Sequence, residues 1–484
     1  MSIFQSTNPL DWSALDGVYI DDVAPPPNVV GVAVNVAIIV GQFERGAPGI
    51  QSVGSVKALY QLYGTNLAFT GLADLQNKQF GSLKVVRVVA ASGAANGVLA
   101  CASSTVTRIT FTALWTGAYG NLITVKIQAG STSGSKYTIH DGNPGAVWPD
   151  EVYDNVVISA VGATFAASNL VTATVNSSAL EPATQAATAL ASGSDGSIAD
   201  GDYQTAIINQ CQSAGVGNVL WTDKYDTAIK GYLLASMAAT TDKMCILAGA
   251  AGDSVATAVT DVASYRDTQG RLIYGWPYVY TAINGVNTVV SPAGFYASLL
   301  SQIAPNIDPA ESQNAQYLSG IASLDLASQP QRSDYISLLN AGICALEVDS
   351  YFGIKIKSGV VTQIANSSLI MIFRRRMADY IIQSLAIFMD NYQNGVNSLK
   401  NRDNAKVAIT TFNTKLESTG LVPTDAEVSS GNASIIDTTS LNDDAAIAAG
   451  FFYIIYKRRI YSSMRFIVLQ TQIGTSVVVT EANG

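Results

Sequence analysis

Of the 484 residues, one is a histidine, four are cysteines and only 13% are charged. A single imidazole, His140, excludes a His-rich metal centre, and any Ser-His-Asp arrangement would have to use it. His140 lies in KYTIHDGNPG, an alternating strand running into a Gly/Pro turn, and its plainer reading is structural. Cys101, Cys211, Cys245 and Cys344 are widely spaced with no CxxC pair, so no disulfide scaffold is encoded. Buried free thiols in a reducing compartment are expected instead, because free Cys packs as a small hydrophobe. The dipeptide Gly-Lys is absent, which removes the P-loop, and no GxGxxG opens a helix after a strand. No apolar run reaches the ~18 residues of a membrane span. The opening MSIFQSTNPLDW has neither the basic nor the apolar region of a secretory signal. These absences read as a protein that is not an enzyme, takes no cofactor or metal, and does not insert into a membrane. One catalytic alternative stays open to folding: two distant carboxylates meeting in space, as in a carboxylate-based hydrolase.

What is present is apolar and unevenly charged. Hydrophobic residues make up 48%, and the charged fraction is about half the ~25% of ordinary domains. Large cores are possible, but the surface has few charges to keep it in solution and is better covered by neighbouring subunits. At ~150 residues per domain the length predicts about three domains. Residues 1–140 carry 8 basic and 6 acidic groups, residues 141–350 carry 6 and 20, and residues 351–484 carry 13 and 10. An acidic middle between mildly basic ends is the wrong footprint for nucleic acid, which calls for clustered Lys/Arg.

Along the chain, residues 1–28 read as an arm: a polar start, a short strand pattern at 17–23 (GVYIDDV), then Pro25-Pro26-Pro27, which stops a ladder and stiffens the chain. Such a strand has nothing local to pair with. Residues 29–40 are predicted to be a buried strand. Ser55 is predicted to cap a helix that ends at Gly64, with a second strand at 83–89. Residues 95–195 are rich in Thr, Ser, Val and Gly and predict a mostly-β unit with strands near 107–114, 122–129 and 152–161. Its 165–194 stretch is low in complexity and reads as ordered loop and strand. Residues 196–350 alternate helix and strand again, with a helix at 202–214, strands at 219–221 and 243–248, and a helix opened by Ser291-Pro292. The clearest helical period covers 369–389, where Met377, Tyr380, Ile381, Ser384, Leu385 and Phe388 share a face and Ile382, Ala386 and Met389 make the other side apolar too. Arg374-Arg375-Arg376 open it, where the helix dipole disfavours cations, so an acidic neighbour is expected. A second helix is predicted over 401–419. Residues 445–456 read as a buried strand, and 464–473 (MRFIVLQTQI) as a long strand apolar on both faces, a hazard unless covered. It either pairs within its own subunit or adds to a neighbour's sheet.

In order along the chain, several segments resemble motifs of the contractile tail sheath proteins of myophages and contractile injection systems. They are GVYIDDV at 17–23 followed by proline; GQFERGAP at 41–48 leading to SVKALYQLYG at 55–64; KVVRV at 84–88; GAYGN at 117–121; GSDG at 193–196 before Asp202-Tyr203; VSPAGFYA at 290–297; LNAGI at 339–343; and FRRRMADY at 373–380. The segment 345–357 (ALEVDSYFGIKIK) departs from the family, which often carries a Gly-Ala-Arg-Thr stretch there. The resemblance implies an α+β multidomain fold: an N-terminal arm (1–28), an inner α/β core domain built from both chain ends (29–95 and 351–463), an inserted mostly-β domain (96–195), a second α/β domain (196–350) and a C-terminal arm (464–484). It further implies a helical homo-oligomer in the virion tail, assembled in the host cytoplasm, with tail tube, baseplate and tail terminator proteins as partners. The arm residues Val18, Tyr19, Ile20, Phe466, Ile467, Val468 and Leu469 would be exchanged between subunits. Because the inner domain of the family faces the tube, Arg402, Lys406 and Lys415 are expected to contact an acidic tube. The structural alternative is another self-assembling surface protein.

Overall fold

The computed structural model describes residues 3–5, 18–20, 29–33, 35–64, 78–143, 148–211, 218–239, 243–283, 285–363, 369–428 and 431–463. Its centre is an eight-stranded sheet in the order Gly353–Ile356, Ile343–Asp349, Leu272–Trp276, Lys243–Ala248, Asn218–Thr222, Val36–Gly41, Ser82–Arg87, Ile50–Val53. The six inner strands run parallel and the two edge strands are antiparallel. Parallel sheets are covered on both faces, so their strands are continuous apolar runs. Ile38, Ile39, Leu220, Trp221, Ile246, Leu247, Ile273 and Tyr274 are accordingly buried. The predicted ends of several elements are found where their chemistry places them. Val56–Tyr63 is helical, Ser55 Oγ accepts from the Ala58 N–H, and Gly64 ends the helix at φ 89°. The Ser291-Pro292 start gives the helix Ala293–Gln302.

This sheet crosses the expected domain boundaries. Strands from 29–95 hydrogen-bond into the same sheet as strands from 196–350, with Val36 opposite Asn218, so they form one α/β body rather than an inner and a middle domain. The reason is that 36–41 and 218–222 are both apolar on both faces and gain most as neighbours in the middle of a sheet. The predicted 29–40 strand begins only at Val36; the residues before it serve another surface, described below.

Residues 96–195 are mostly β. A four-stranded sheet (Glu151–Val156, Ser135–His140, Thr124–Ala129, Gln185–Ala189) faces a three-stranded one (Val171–Val175, Val106–Ala113, Val98–Ser103). Phe165 sits between them, with Tyr153, Phe111 and Tyr137 rings 4.7, 5.1 and 5.5 Å away. Two arginines fasten this insert to the body. Arg87 donates to the carbonyls of Phe43, Gly46 and Thr116 at 3.0, 3.2 and 2.8 Å. Arg45 meets Asp141 at 2.8 Å with both side chains buried.

All four cysteines are buried and none is in a disulfide. Burial pushes the Cys101 thiol up to about 11 and the Cys344 thiol up to about 12, and only the thiolate is reactive. The native protein at pH 8 is therefore expected to take up no thiol reagent over an hour, and to take up four equivalents on unfolding. Rapid native labelling would contradict this packing.

Candidate functional site: the helix that holds both chain ends

Residues 372–463 and the segment around Val29 form a separate small core of Val29, Met377, Ile381, Phe388, Ala408, Ile409, Phe412, Leu416 and Val422. Two helices build it, Ile372–Met389 and Leu399–Ser418, close to the two the periodicity predicts. The first half of Ile372–Met389 is buried nearly all round, whereas Ile382, Ala386 and Ile387 in its second half are exposed.

The three arginines at its start each do something different. Arg375 pairs with Asp379 one turn on, and Arg271 of the body grips the same carboxylate at 2.7 Å through Nη2 and 3.1–3.2 Å through Nε. Asp379 is thus the acidic neighbour the sequence calls for, buried between two guanidiniums. Arg376 donates to the carbonyls of Leu300 (2.7 Å), Ile303 (3.2 Å) and Ala304 (3.5 Å). These close the C-terminus of Ala293–Gln302, the end of a helix that favours a cation. Burial draws the Arg376 pKa down to about 10, so it stays charged at neutral pH. Arg374 points the other way and donates from Nε to the Tyr461 carbonyl at 3.0 Å and from Nη2 to Ser462 Oγ at 3.3 Å.

The N-terminal side reaches the same helix. Val29 is buried in its core, and the Val32 N–H donates to Ser384 Oγ at 3.1 Å. Gly31 passes so close to Tyr380 that a Cβ at that position would collide with the tyrosine hydroxyl. One helix therefore anchors the chain just after residue 28 and just before residue 464, and is itself bolted to the body by Asp379 and Arg376.

Beside it lies a two-stranded antiparallel sheet, Ser434–Asp437 with Ile455–Arg458. Arg458 secures it to the second helix, donating to Glu417 Oε1 at 2.6 Å, to Asn413 Oδ1 at 3.0 Å and to the Pro423 carbonyl. Tyr456 donates to Asn413 Oδ1 at 3.0 Å. Among the described residues neither strand has a second partner, so both outer edges offer unpaired backbone groups, which is what a strand from another chain can use.

No family model matches this chain, and no curated protein sequence matches it. Solved structures do. The sheath tail protein of Desulfitobacterium hafniense superposes with a TM-score of 0.62 at 16% identity, covering 91% of this chain and 100% of its own. The sheath tail protein of Listeria innocua gives 0.64 at 12%, covering 90% and 96%. The helical sheath of the anti-feeding prophage in its contracted state gives 0.59 at 14%, covering 95% and 99%. The chain has the fold of tail sheath proteins.

The expected site residues take varied places in this sheath fold. Val18–Ile20 is a strand, but it pairs in parallel with Ile3–Gln5, Val18 opposite Ile3, rather than standing alone. The dozen residues between them are enough for a parallel return. Phe466, Ile467, Val468 and Leu469 lie outside the described residues. Arg402 and Lys406, one turn apart, share a half-buried flank of Leu399–Ser418, and Arg402 folds back onto Asn397 Oδ1 and its carbonyl at 3.0 Å. Lys415 does not join them: at about 3.6 residues per turn it emerges on the opposite flank. The face between them carries Asp403, Val407, Thr410, Thr411 and Thr414 and is nearly neutral. The predicted 445–456 strand is also changed. Asp443 caps the short helix Asp444–Ala448, Asn442 bonds both backbone groups of Tyr453 at 2.7–2.8 Å, and only Ile455–Arg458 is a strand. His140 Nδ1 sits 2.6 Å from Asp150 Oδ1 with both side chains half exposed, and among the described residues no serine or cysteine bonds the ring. No helix among the described residues is long and apolar enough to cross a membrane.

Sequence reasoning missed Arg271, Gly31, Ser384 and Arg458. Only the Arg374–Arg376 run signalled the Asp379 junction, through its awkward place at a helix start. Nothing in the order of residues marks Gly31 as the point where the chain crosses a tyrosine.

Proposed function

We propose that this chain is the structural subunit of a contractile tail sheath, which polymerises helically around a tail tube and contracts to drive the tube through a host envelope. The observation that carries the reading is coverage: sheath tail proteins align over nine-tenths of this chain and nearly all of their own length. A neighbour covering 95% of this chain was captured as a contracted helical sheath, and another forms part of a baseplate. The anchoring helix supports it physically. Arms that leave from one rigid helix can cross to neighbouring subunits and add strands to the open sheet Ser434–Asp437/Ile455–Arg458. Main-chain bonds made in this way survive large rigid-body motion of the subunits. Contacts that repeat without closing give an open helical polymer. The partners are then further copies of the chain, the tail tube, the baseplate and the terminator, and the place of action is the virion tail or a phage-derived injection device, assembled in the host cytoplasm.

Electron microscopy of the purified full-length chain at high concentration is the test. Hollow tubes of uniform width are expected. Chains lacking residues 1–24 or 464–484 should remain folded monomers by circular dichroism and light scattering. Normal tubes from both truncations, or only discrete particles from the intact chain, would overturn arm exchange.

The tube contact is assigned to the flank carrying Arg402 and Lys406. Exposed ion pairs contribute about 0–1 kcal/mol each, enough to hold register and release during contraction. Reversing both charges (Arg402→Glu, Lys406→Glu) should weaken co-assembly with the tube several-fold at low salt, while Lys415→Glu on the opposite flank should not. Equal effects from both would remove the assignment.

A further inference from the structure

Open parallel sheets take their ligands in a crevice beyond the carboxyl ends of the strands, where the connections of two neighbouring strands leave in opposite directions. The strand order fixes that point in the large sheet. Val36–Gly41 leads, by way of the edge strand Ile50–Val53, to Ser82–Arg87 on one side of it. Asn218–Thr222 lies on its other side and leads away to Lys243–Ala248. The two strands end level, Val40 opposite Thr222, so the crevice opens past Gly41 and Thr222.

The chain fills this crevice itself. Asp223, the first residue past one strand, accepts on Oδ2 from the N–H of Gln42, the first residue past the other, at 2.8 Å. Its Oδ1 accepts from the Tyr203 hydroxyl at 2.8 Å, and Gln42 Nε2 donates to the same hydroxyl at 3.2 Å. A Cβ on Gly41 would lie 3.0 Å from the Asp223 carboxyl carbon, so glycine leaves the room this carboxylate occupies. Tyr203 is buried. Burial and the Asp223 charge push its pKa far above the usual phenol range, so the hydroxyl remains a donor at any physiological pH. A carboxylate here is also the wrong charge for the phosphates that many such crevices hold.

Tyr203 belongs to the short helix Asp200–Gln204, onto which the chain returns from the β unit 96–195. That helix runs on as a π-helical turn, Thr205–Gln210, a rare form that is frequent at functional sites. Asp200 at its start pairs with Lys224, next to Asp223, at 3.0 Å. Asp202 holds the outgoing linker: its Oδ1 accepts from the Ala91 N–H at 3.0 Å. The outgoing and returning linkers also lie against each other, Ala95 opposite Ser194 and Ala94 opposite Asp195, and a Cβ on Gly196 would come within 2.6 Å of the Ser92 carbonyl. Both crossings between body and β unit are thus gathered on the helix that carries Tyr203.

We propose that the crevice between Gly41 and Thr222 is an intramolecular docking site whose ligand is the Tyr203 side chain, and that this docking fixes the neck of the β unit to the body. The sheet keeps the place where its class binds a small molecule and uses it to seat a piece of its own chain. The docking stands whether or not the chain polymerises.

The test is hydrogen exchange on the full-length variant Tyr203→Ala, with p-cresol, the tyrosine side chain as a free molecule, as the probe. Without the plug, the Gln42 and Ala91 amides should exchange at least about tenfold faster, the scale of losing a hydrogen bond to a charged group, while strands Lys243–Ala248 and Val106–Ala113 exchange as in the parent. Millimolar p-cresol should restore protection at Gln42, because it refills the crevice, and not at Ala91, because it is not joined to the helix that carries Asp202. The parent chain should not respond to p-cresol. Parent-like protection of Ala91 in Tyr203→Ala overturns the anchoring of the neck, and no effect of p-cresol on Gln42 overturns the crevice as a site. If Tyr203→Ala does not fold, Tyr203→Phe takes its place: it keeps the ring and loses the bonds to Asp223 and Gln42, and exchange at Gln42 and Ala91 equal to the parent's overturns the proposal.

Discussion

Asp379→Asn is expected to destabilise the protein by about 3–5 kcal/mol, the range for removing one partner of a buried ion pair. Arg271 Nη2 and Arg375 both bond this carboxylate, and all three side chains are buried. The amide keeps the size and part of the hydrogen bonding but leaves two buried guanidiniums facing no negative charge. The cost falls on a particular joint, because Arg271 leads into the strand Leu272–Trp276 of the large sheet and Arg375 belongs to the anchoring helix. The denaturation midpoint should drop, and tube formation should fail at temperatures where the body is still folded. A shift under 1 kcal/mol in a urea titration would mean that Arg271–Asp379 does not hold the two parts together. Glu417→Gln, which removes a half-exposed partner of Arg458, should cost less.

That joint also marks how far the sequence could be read. Local signals were legible wherever one residue decides a boundary: Ser55 and Gly64 at the ends of one helix, Pro292 at the start of another, and the unbroken KMCILA run that became the strand Lys243–Ala248. The β character of the insert was legible from its Thr/Val alternation. The order of strands in the central sheet was not, because six parallel strands of similar Val/Ile content carry no mark of which lies beside which. Residues 29–33 misread as strand because apolar character alone does not distinguish pairing in a sheet from lying along a helix. Residues 451–454 misread for a different reason: Asn442 satisfies the Tyr453 backbone groups, a side-chain bond that competes with a ladder. Arg402, Lys406 and Lys415 of Leu399–Ser418 looked like one patch in the order of charges and lie on two flanks once wrapped around a helix. Arg374–Arg376 is the instructive middle case. The run declared that it needed an acidic partner and a helix end, and only the fold identified Asp379 and the carbonyls of Leu300 and Ile303.

Gly31→Val should separate folding from assembly. The collision of a Cβ with Tyr380 leaves the valine two outcomes: displacement of Tyr380, which packs beside Phe412 with ring centroids 6.3 Å apart, or release of residues 29–33 from the helix. Overpacking of this kind costs about 1–3 kcal/mol. The second outcome sacrifices only the Val32–Ser384 bond and the burial of Val29, so it is the cheaper one. The central sheet, which shares no residue with that core, should melt as in the parent chain, while the N-terminal arm loses its fixed point of departure. An arm that leaves in many directions reaches its neighbour at a lower effective concentration, so tubes should form poorly or not at all. Hydrogen exchange should show faster exchange of the Val32 amide and little change in 36–41. The double variant Gly31→Ala with Tyr380→Leu, which makes room for the smaller side chain, should recover much of the assembly. If Gly31→Val assembles normally and the Val32 amide stays protected, the helix Ile372–Met389 does not direct the arm, and the strand Val18–Ile20 is aimed by some other part of the chain.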